Sequence, residues 1–223
     1  MDLDSFSKLM TISPFEVKDA LIDLATSHAE RIMLNAGRGN PNWVATGPRH
    51  AFWQLGRFAT GEAERFQGYL HQGVGGLPEH EGIVARFDTF VQLNRGEPGV
   101  DFLKACVAYV RDRLGYPADD FLHEMACGIL ACNYPVPDRM LRLTEVICRE
   151  YLKREMCQGT PVTGGVDLFA VEGGTAAMSY LFNILISIRI LRPGDKVAIA
   201  RPIFTPYLEI PELEDYGLEE VFI

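Results

Sequence analysis

Residues 169–178 read FAVEGGTAAM, an acid, two glycines and a threonine set between a strand-like run and a long apolar stretch. Where a strand hands over to a helix, the first helical turn leaves backbone N–H groups unpaired. It also carries a partial positive charge of about half an electron. Glu172, Gly173, Gly174 and Thr175 stand at that junction. Glycines let an anion approach the backbone closely and the Thr175 hydroxyl adds a donor, so phosphate is the natural occupant. The same residues would also make an ordinary strand-to-helix corner, and the motif alone leaves both readings open. GGTAA is not the GxGxxG of dinucleotide turns, which counts against nicotinamide and flavin. After the next strand-like run comes RPIFTPY (201–207), where Phe204 is placed either to lay an aromatic face over a flat ligand or to fill the core. A third segment, IMLNAGRGNPNW (32–43), passes from an apolar triplet into glycines, asparagines and a proline, as a loop with a side chain to present does.

The elements that must position these residues follow from periodicity and capping. Ser13-Pro14-Phe15-Glu16 is a helix start, with Ser13 as cap, Pro14 at the first helical position and Glu16 closing a capping box. That helix is expected to run to about Ala29 on a stripe of Phe15, Leu21, Ile22, Leu24 and Ala25. Further helices are expected over 48–68, 79–94, 98–114, 119–131 and 138–157, with the glycine-dense GYLHQGVGGLPEHEG (68–82) as an irregular connector. That connector lacks the GK[ST] ending of a P-loop. From residue 166 the pattern changes. VDLFAV (166–171), KVAIA (196–200) and LEEVFI (218–223) read as strands. GGTAAMSYLFNILISIRIL (173–191) reads as a helix that is apolar nearly all round and so is expected to be sandwiched between layers. RPGD (192–195) is a stop, and RPIFTPYLEI turns into a short helix. Strands and helices in that order indicate a parallel sheet, whose ligands bind beyond the carboxyl ends of the strands.

Composition bounds the function classes. Hydrophobic residues make up 48% of 223, enough for a sizeable core. A formal net charge of −9 leaves no basic stripe for nucleic acid. The five cysteines have no CxxC spacing, so free, buried thiols in a reducing cytoplasm are expected and no zinc site is. His71 and His80 lack ligand-like spacing and read as surface histidines. No secretory signal is recognised in MDLDSFSKLM, and the apolar stretch 176–191 is interrupted by Asn183 and Arg189, so no membrane span is expected.

Five stretches carry a family resemblance: LNAGRGNPNW (34–43), FWQLGRFA (52–59), GVGGLPEHEGI (73–83), CNYPVPDRML (132–141) and FAVEGGTAAM (169–178). Together they make the chain resemble the amino-terminal part of fold-type I pyridoxal-phosphate enzymes, and more closely the aspartate 4-decarboxylases, relatives of the aspartate aminotransferases. The first and third stretches are specific to the decarboxylases; the last is shared across the fold type. The resemblance implies an α/β protein. Residues 1–165 would form a helical N-terminal extension with small-domain elements, and 166–223 the first βαβ elements, incomplete, of the cofactor-binding large domain. It implies pyridoxal 5'-phosphate as cofactor, with Gly173, Gly174 and Thr175 at the phosphate and Phe204 stacked on the pyridine ring. Tyr134 resembles the tyrosine that reaches the phosphate of the neighbouring subunit. Arg38 resembles the arginine that contributes to the substrate site, where a guanidinium fork suits a dicarboxylate. The activity implied is conversion of L-aspartate to L-alanine and carbon dioxide, with a side aminotransferase activity, in a homo-oligomer built from dimers.

Three parts of such a site are not recognised in the sequence. The lysines are Lys8, Lys18, Lys104, Lys153 and Lys196, and only Lys196 lies in the sheet region, at the start of its strand rather than at the carboxyl end. No lysine is thus placed to hold the cofactor covalently. No later carboxylate is placed for the pyridine nitrogen, and no downstream arginine for the α-carboxylate. With only three short strands expected, the reading is of an amino-terminal piece of a longer enzyme, inactive by itself. An aspartate aminotransferase is the alternative within the same chemistry; a non-catalytic phosphate-binding or assembly module is the alternative outside it.

Overall fold

The computed structural model describes residues 12, 14–27, 43–67, 71–134, 139–160, 164–204, 206–211 and 215–223. They divide between two compact units, one of residues 41–170 and one of residues 171–223 with the first 40 residues. The elements in order are α1 (Pro14–Ser27), α2 (Thr46–Gln67), α3 (Ile83–Leu93), α4 (Val100–Asp112), α5 (Ala118–Ile129), α6 (Arg142–Met156), α7 (Gly174–Ser187), β1 (Lys196–Ile199), α8 (Pro206–Glu209) and β2 (Glu219–Phe222).

The unit of residues 41–170 is helical. Apolar residues at helical spacing on α2 to α6 meet in one core that includes Phe58, Ile83, Phe87, Leu103, Val110, Leu122 and Leu143. Phe58 sets its ring edge-on to Phe87 at 5.3 Å and to Phe90 at 5.5 Å, the arrangement that ring quadrupoles favour. Helix α3 begins at Ile83, later than the expected residue 79, because Gly82 takes a left-handed φ of 71° just before it. The glycine-dense connector is irregular over 71–82, as expected, yet it is tied down. Gly76 donates to the Ala63 carbonyl at 2.8 Å, and a Cβ on Gly75 would meet the Ala63 backbone at 2.9 Å. Glycine is required there by close approach of two backbones.

Within residues 171–223, β1 and β2 pair in parallel, with Lys196 opposite Glu219 and Ile199 opposite Phe222. A small core of Phe182, Ile210 and Tyr216 packs α7 against the segments that flank β2. Asn183, the polar interruption in the apolar helix, accepts a 2.9 Å hydrogen bond from the Tyr216 hydroxyl. The RPGD stop works through Asp195, whose carboxylate accepts from the Arg192 N–H at 2.8 Å. Helix α7 ends at Ser187, short of the expected residue 191, as Arg189 turns left-handed (φ 62°) and Ile190 N–H bonds back to the Leu185 carbonyl.

Three further expectations are corrected. VDLFAV (166–171) forms no strand, and the described sheet has two strands rather than three. Alternating or apolar sequence makes a strand only when another strand completes its hydrogen bonds, and β1 and β2 pair with each other alone. Helix α7 is not sandwiched: Phe182 is buried, but Tyr180, Leu181 and Ile184 lie exposed, with Ile184 at 55%. Burial of one stripe is all that the neighbouring segments supply. The five cysteines are free, as expected, but half-buried rather than buried. Among the described residues no helix is long and apolar enough to cross a membrane, and no cluster of three potential ligands is arranged to hold a metal.

Candidate functional site

The glycine turn opens α7. Gly173 caps the helix with φ 129° and ψ 175°, a combination essentially confined to glycine, and its carbonyl accepts from the Ala177 N–H at 2.9 Å. No side chain caps this end. The N–H groups of Gly174, Thr175 and Ala176 therefore keep the open donors of a first helical turn, with no partner among the described residues. Gly173, Gly174 and Thr175 are all exposed. Glu172, the acid of the motif, is drawn aside: its carboxylate accepts from the Tyr180 hydroxyl at 3.2 Å, and that hydrogen bond holds the Tyr180 phenol above its ordinary pKa. An anion at the turn would thus meet amides and a hydroxyl.

The turn after β1 lies beside this helix end. Tyr207 N–H donates to the Phe204 carbonyl at 2.9 Å, and the two rings stand edge to face at 5.7 Å. Phe204 is half exposed, so its ring is available to a ligand and is not core. The Tyr207 hydroxyl reaches Gly174, where a Cβ would sit 2.7 Å from it. Tyr207 also lines a cavity of about 160 Å³ with Met178, Phe182, Val197, Ile199 and Ile203. A cavity of about 150 Å³ accommodates one six-membered ring. Open amides, an aromatic face and a phenolic hydroxyl thus share one corner. Open amides suit an anionic group and an exposed aromatic face suits a flat ring. Tyr207 was not assigned a role from the sequence; the signal that could have marked it is its place three residues after Phe204.

The other expected site residues fall elsewhere. Tyr134 belongs to the helical unit and lies 92% exposed beyond the end of α5. Arg38 lies outside the described residues, as do the loop glycines 37 and 39. Lys196 is the first residue of β1, at the amino end of the strand, and reaches Glu219 on β2 at 3.9 Å. His80, read as a surface histidine, is about half exposed but hydrogen-bonded to Asp120 at 2.8 Å.

The contact between Tyr207 and Gly174 makes the turn testable. Gly174→Val is expected to force the Tyr207 ring away and crowd the open amides. Retention of pyridoxal phosphate by the protein that carries these residues should fall about tenfold or more, roughly 1.4 kcal/mol. Equilibrium dialysis measures it, and unchanged retention would leave the turn an ordinary corner.

No family model matches the chain. A comparison with characterised proteins finds it 55% identical over 216 residues, 97% of its length, to the bifunctional aspartate aminotransferase and L-aspartate beta-decarboxylase of Pseudomonas sp. The helix-rich architecture with few strands is compatible with the amino-terminal part of an aminotransferase-like protein. The chain spans 41% of the length of that relative, and over nearly all of its own residues it is similar to an enzyme named for two reactions of aspartate.

Proposed function

We propose that the protein to which these residues belong is a fold-type I pyridoxal-phosphate enzyme. It removes the β-carboxylate of L-aspartate as carbon dioxide to leave L-alanine, with an accompanying aspartate aminotransferase activity. The observation that carries this reading is the uncapped start of α7, with three open amides beside Phe204 and Tyr207. The similarity to an aspartate aminotransferase and beta-decarboxylase supports the choice of substrate.

The bound cofactor would supply an electron sink that makes loss of a carboxylate feasible. The residues of this chain bind and orient. The amides of Gly174, Thr175 and Ala176, aided by the Thr175 hydroxyl, hold the phosphate dianion at the positive end of α7. Phe204, half exposed, would cover a face of the pyridine ring. Tyr207, whose hydroxyl reaches Gly174, would stand beside the bound phosphate. Arg38 grips a carboxylate of the substrate through paired N–H donors and so selects a dicarboxylic amino acid. Tyr134, carried on the helical unit and exposed, reaches the phosphate held by a second copy, which makes the dimer the working unit.

The test is Arg38→Ala in the enzyme at the relative's length. Release of carbon dioxide and alanine from aspartate should fall about tenfold to a hundredfold in kcat/KM, because a charge-assisted bidentate contact is lost. Cofactor retention should hold. Unchanged kinetics would remove Arg38 from the site, and no alanine formation by the unaltered enzyme would overturn the reading itself.

A further inference from the structure

A cavity of about 470 Å³ in the helical unit brings two thiols to one wall. Helix α5 ends at Ile129, Ala131 turns left-handed (φ 57°), and the chain folds back so that Cys132 N–H bonds to the Cys127 carbonyl at 2.9 Å. Ala131 N–H bonds to the Gly128 carbonyl at 3.1 Å, which completes a Schellman-type end. Covalent geometry on either side of a 2.9 Å bond holds the two Cα atoms within about 6.8 Å. Disulfides span Cα separations of about 4.4–6.8 Å. Cys127 and Cys132 both line the cavity, and both are free and half-buried.

We propose that Cys127 and Cys132 are an oxidative modification site, joined as an intrachain disulfide by a hydroperoxide. The Cys132 thiolate attacks one peroxide oxygen. The O–O bond breaks, and the departing hydroxide takes a proton to leave as water, with a sulfenic acid on Cys132. The Cys127 thiolate then attacks that sulfur. The S–O bond breaks, the S–S bond forms and a second water leaves. Two thiols and one hydrogen peroxide become one disulfide and two waters; each sulfur loses one electron and each peroxide oxygen gains one.

The order follows from the surroundings. Burial pushes the Cys127 thiol up, and negative charge on Cys132 adds to that, so Cys127 is the poorer first nucleophile. Its help comes in the second step. His123 Nε2 lies 3.1 Å from the Pro78 carbonyl, an acceptor only, so this nitrogen is assigned the proton. The same nitrogen lies 3.6 Å from Cys127 Sγ, and its proton, shared between carbonyl and sulfur, favours the attacking thiolate. Once Cys132 is a neutral sulfenic acid, its charge no longer opposes ionisation of Cys127. The closed ring would hold the turn from which Tyr134, two residues on, projects.

The experiment treats the folded chain with a limiting amount of hydrogen peroxide, alkylates the remaining thiols and digests it without reductant for mass spectrometry. No Lys or Arg lies between the two cysteines, so both fall in one tryptic peptide. That peptide is expected to lose two hydrogens, carry no alkyl group and regain both thiols with dithiothreitol, while Cys106, Cys148 and Cys157 are alkylated. In urea the yield should drop about tenfold or more, because the fold supplies the proximity. Cys132→Ser should abolish the product and leave Cys127 alkylated. Equal yield in urea, a disulfide to any other cysteine or chain, or oxidation that stops at a single sulfur would each overturn the proposal.

Discussion

Replacement of Glu62 by alanine is expected to lower the stability of the helical unit by about 3–5 kcal/mol. The Glu62 carboxylate is only 6% exposed on α2, and Arg86 of α3 meets it from the side. Arg86 Nε lies 2.9 and 2.8 Å from the two carboxylate oxygens, and Nη2 lies 2.7 Å from one of them. The same guanidinium donates to the Glu81 carbonyl at 2.7 Å and the Glu79 carbonyl at 2.8 Å. A single side chain thus fixes α2, α3 and the connector between them. Without Glu62 its charge stays partly buried, facing carbonyl dipoles but no carboxylate. Arg86→Met should be costly too, and the double variant should lose less than the sum, since the uncompensated charge goes with its partner. Urea denaturation followed by helical circular dichroism measures all three. Strict additivity would show that the pair is not coupled.

Gly99→Ala is expected to cost about 2–5 kcal/mol through two separable effects. Gly99 caps α4 at φ 87°, a left-handed conformation that strains any residue with a Cβ. Its would-be Cβ also overlaps the peptide joining His50 to Ala51 on α2, so the two helices would have to part. Gly96 provides the control. It has φ 90° but nothing near its would-be Cβ, so Gly96→Ala should show the conformational cost alone, about 1–2 kcal/mol. Thermal unfolding of the two variants side by side reads the difference. If Gly96→Ala is as damaging as Gly99→Ala, close helix approach is not what glycine serves at 99.

How much of this was legible in advance depends on the range of the interaction. The helices α1 to α7 were legible because their signals are local: Pro14 and Glu16 in a first turn, apolar residues repeating three and four apart, glycines and a proline where chains stop. The glycine turn at 173–175 was legible for the same reason, as was the aromatic at 204. What local signals could not reveal was partnership. VDLFAV has the composition of a strand, but a strand exists only when a second one supplies hydrogen bonds, and the described sheet joins only 196–199 with 219–222. The apolar surface of α7 likewise states what the helix can bury, not how much of it a neighbour covers.

By itself, then, the sequence determined which segments are helical, though not where each helix begins or ends, and a likeness to enzymes of aspartate metabolism that the comparison bears out. Only the tertiary structure decided that Arg86 answers Glu62, that Tyr207 stands over Gly174, and that the end of α5 brings Cys132 back to Cys127. Capping and periodicity act between residues one helical turn apart and are written along the chain. Charge pairing and close approach join residues that chain separation leaves independent, and they exist only once packing has chosen which surfaces meet.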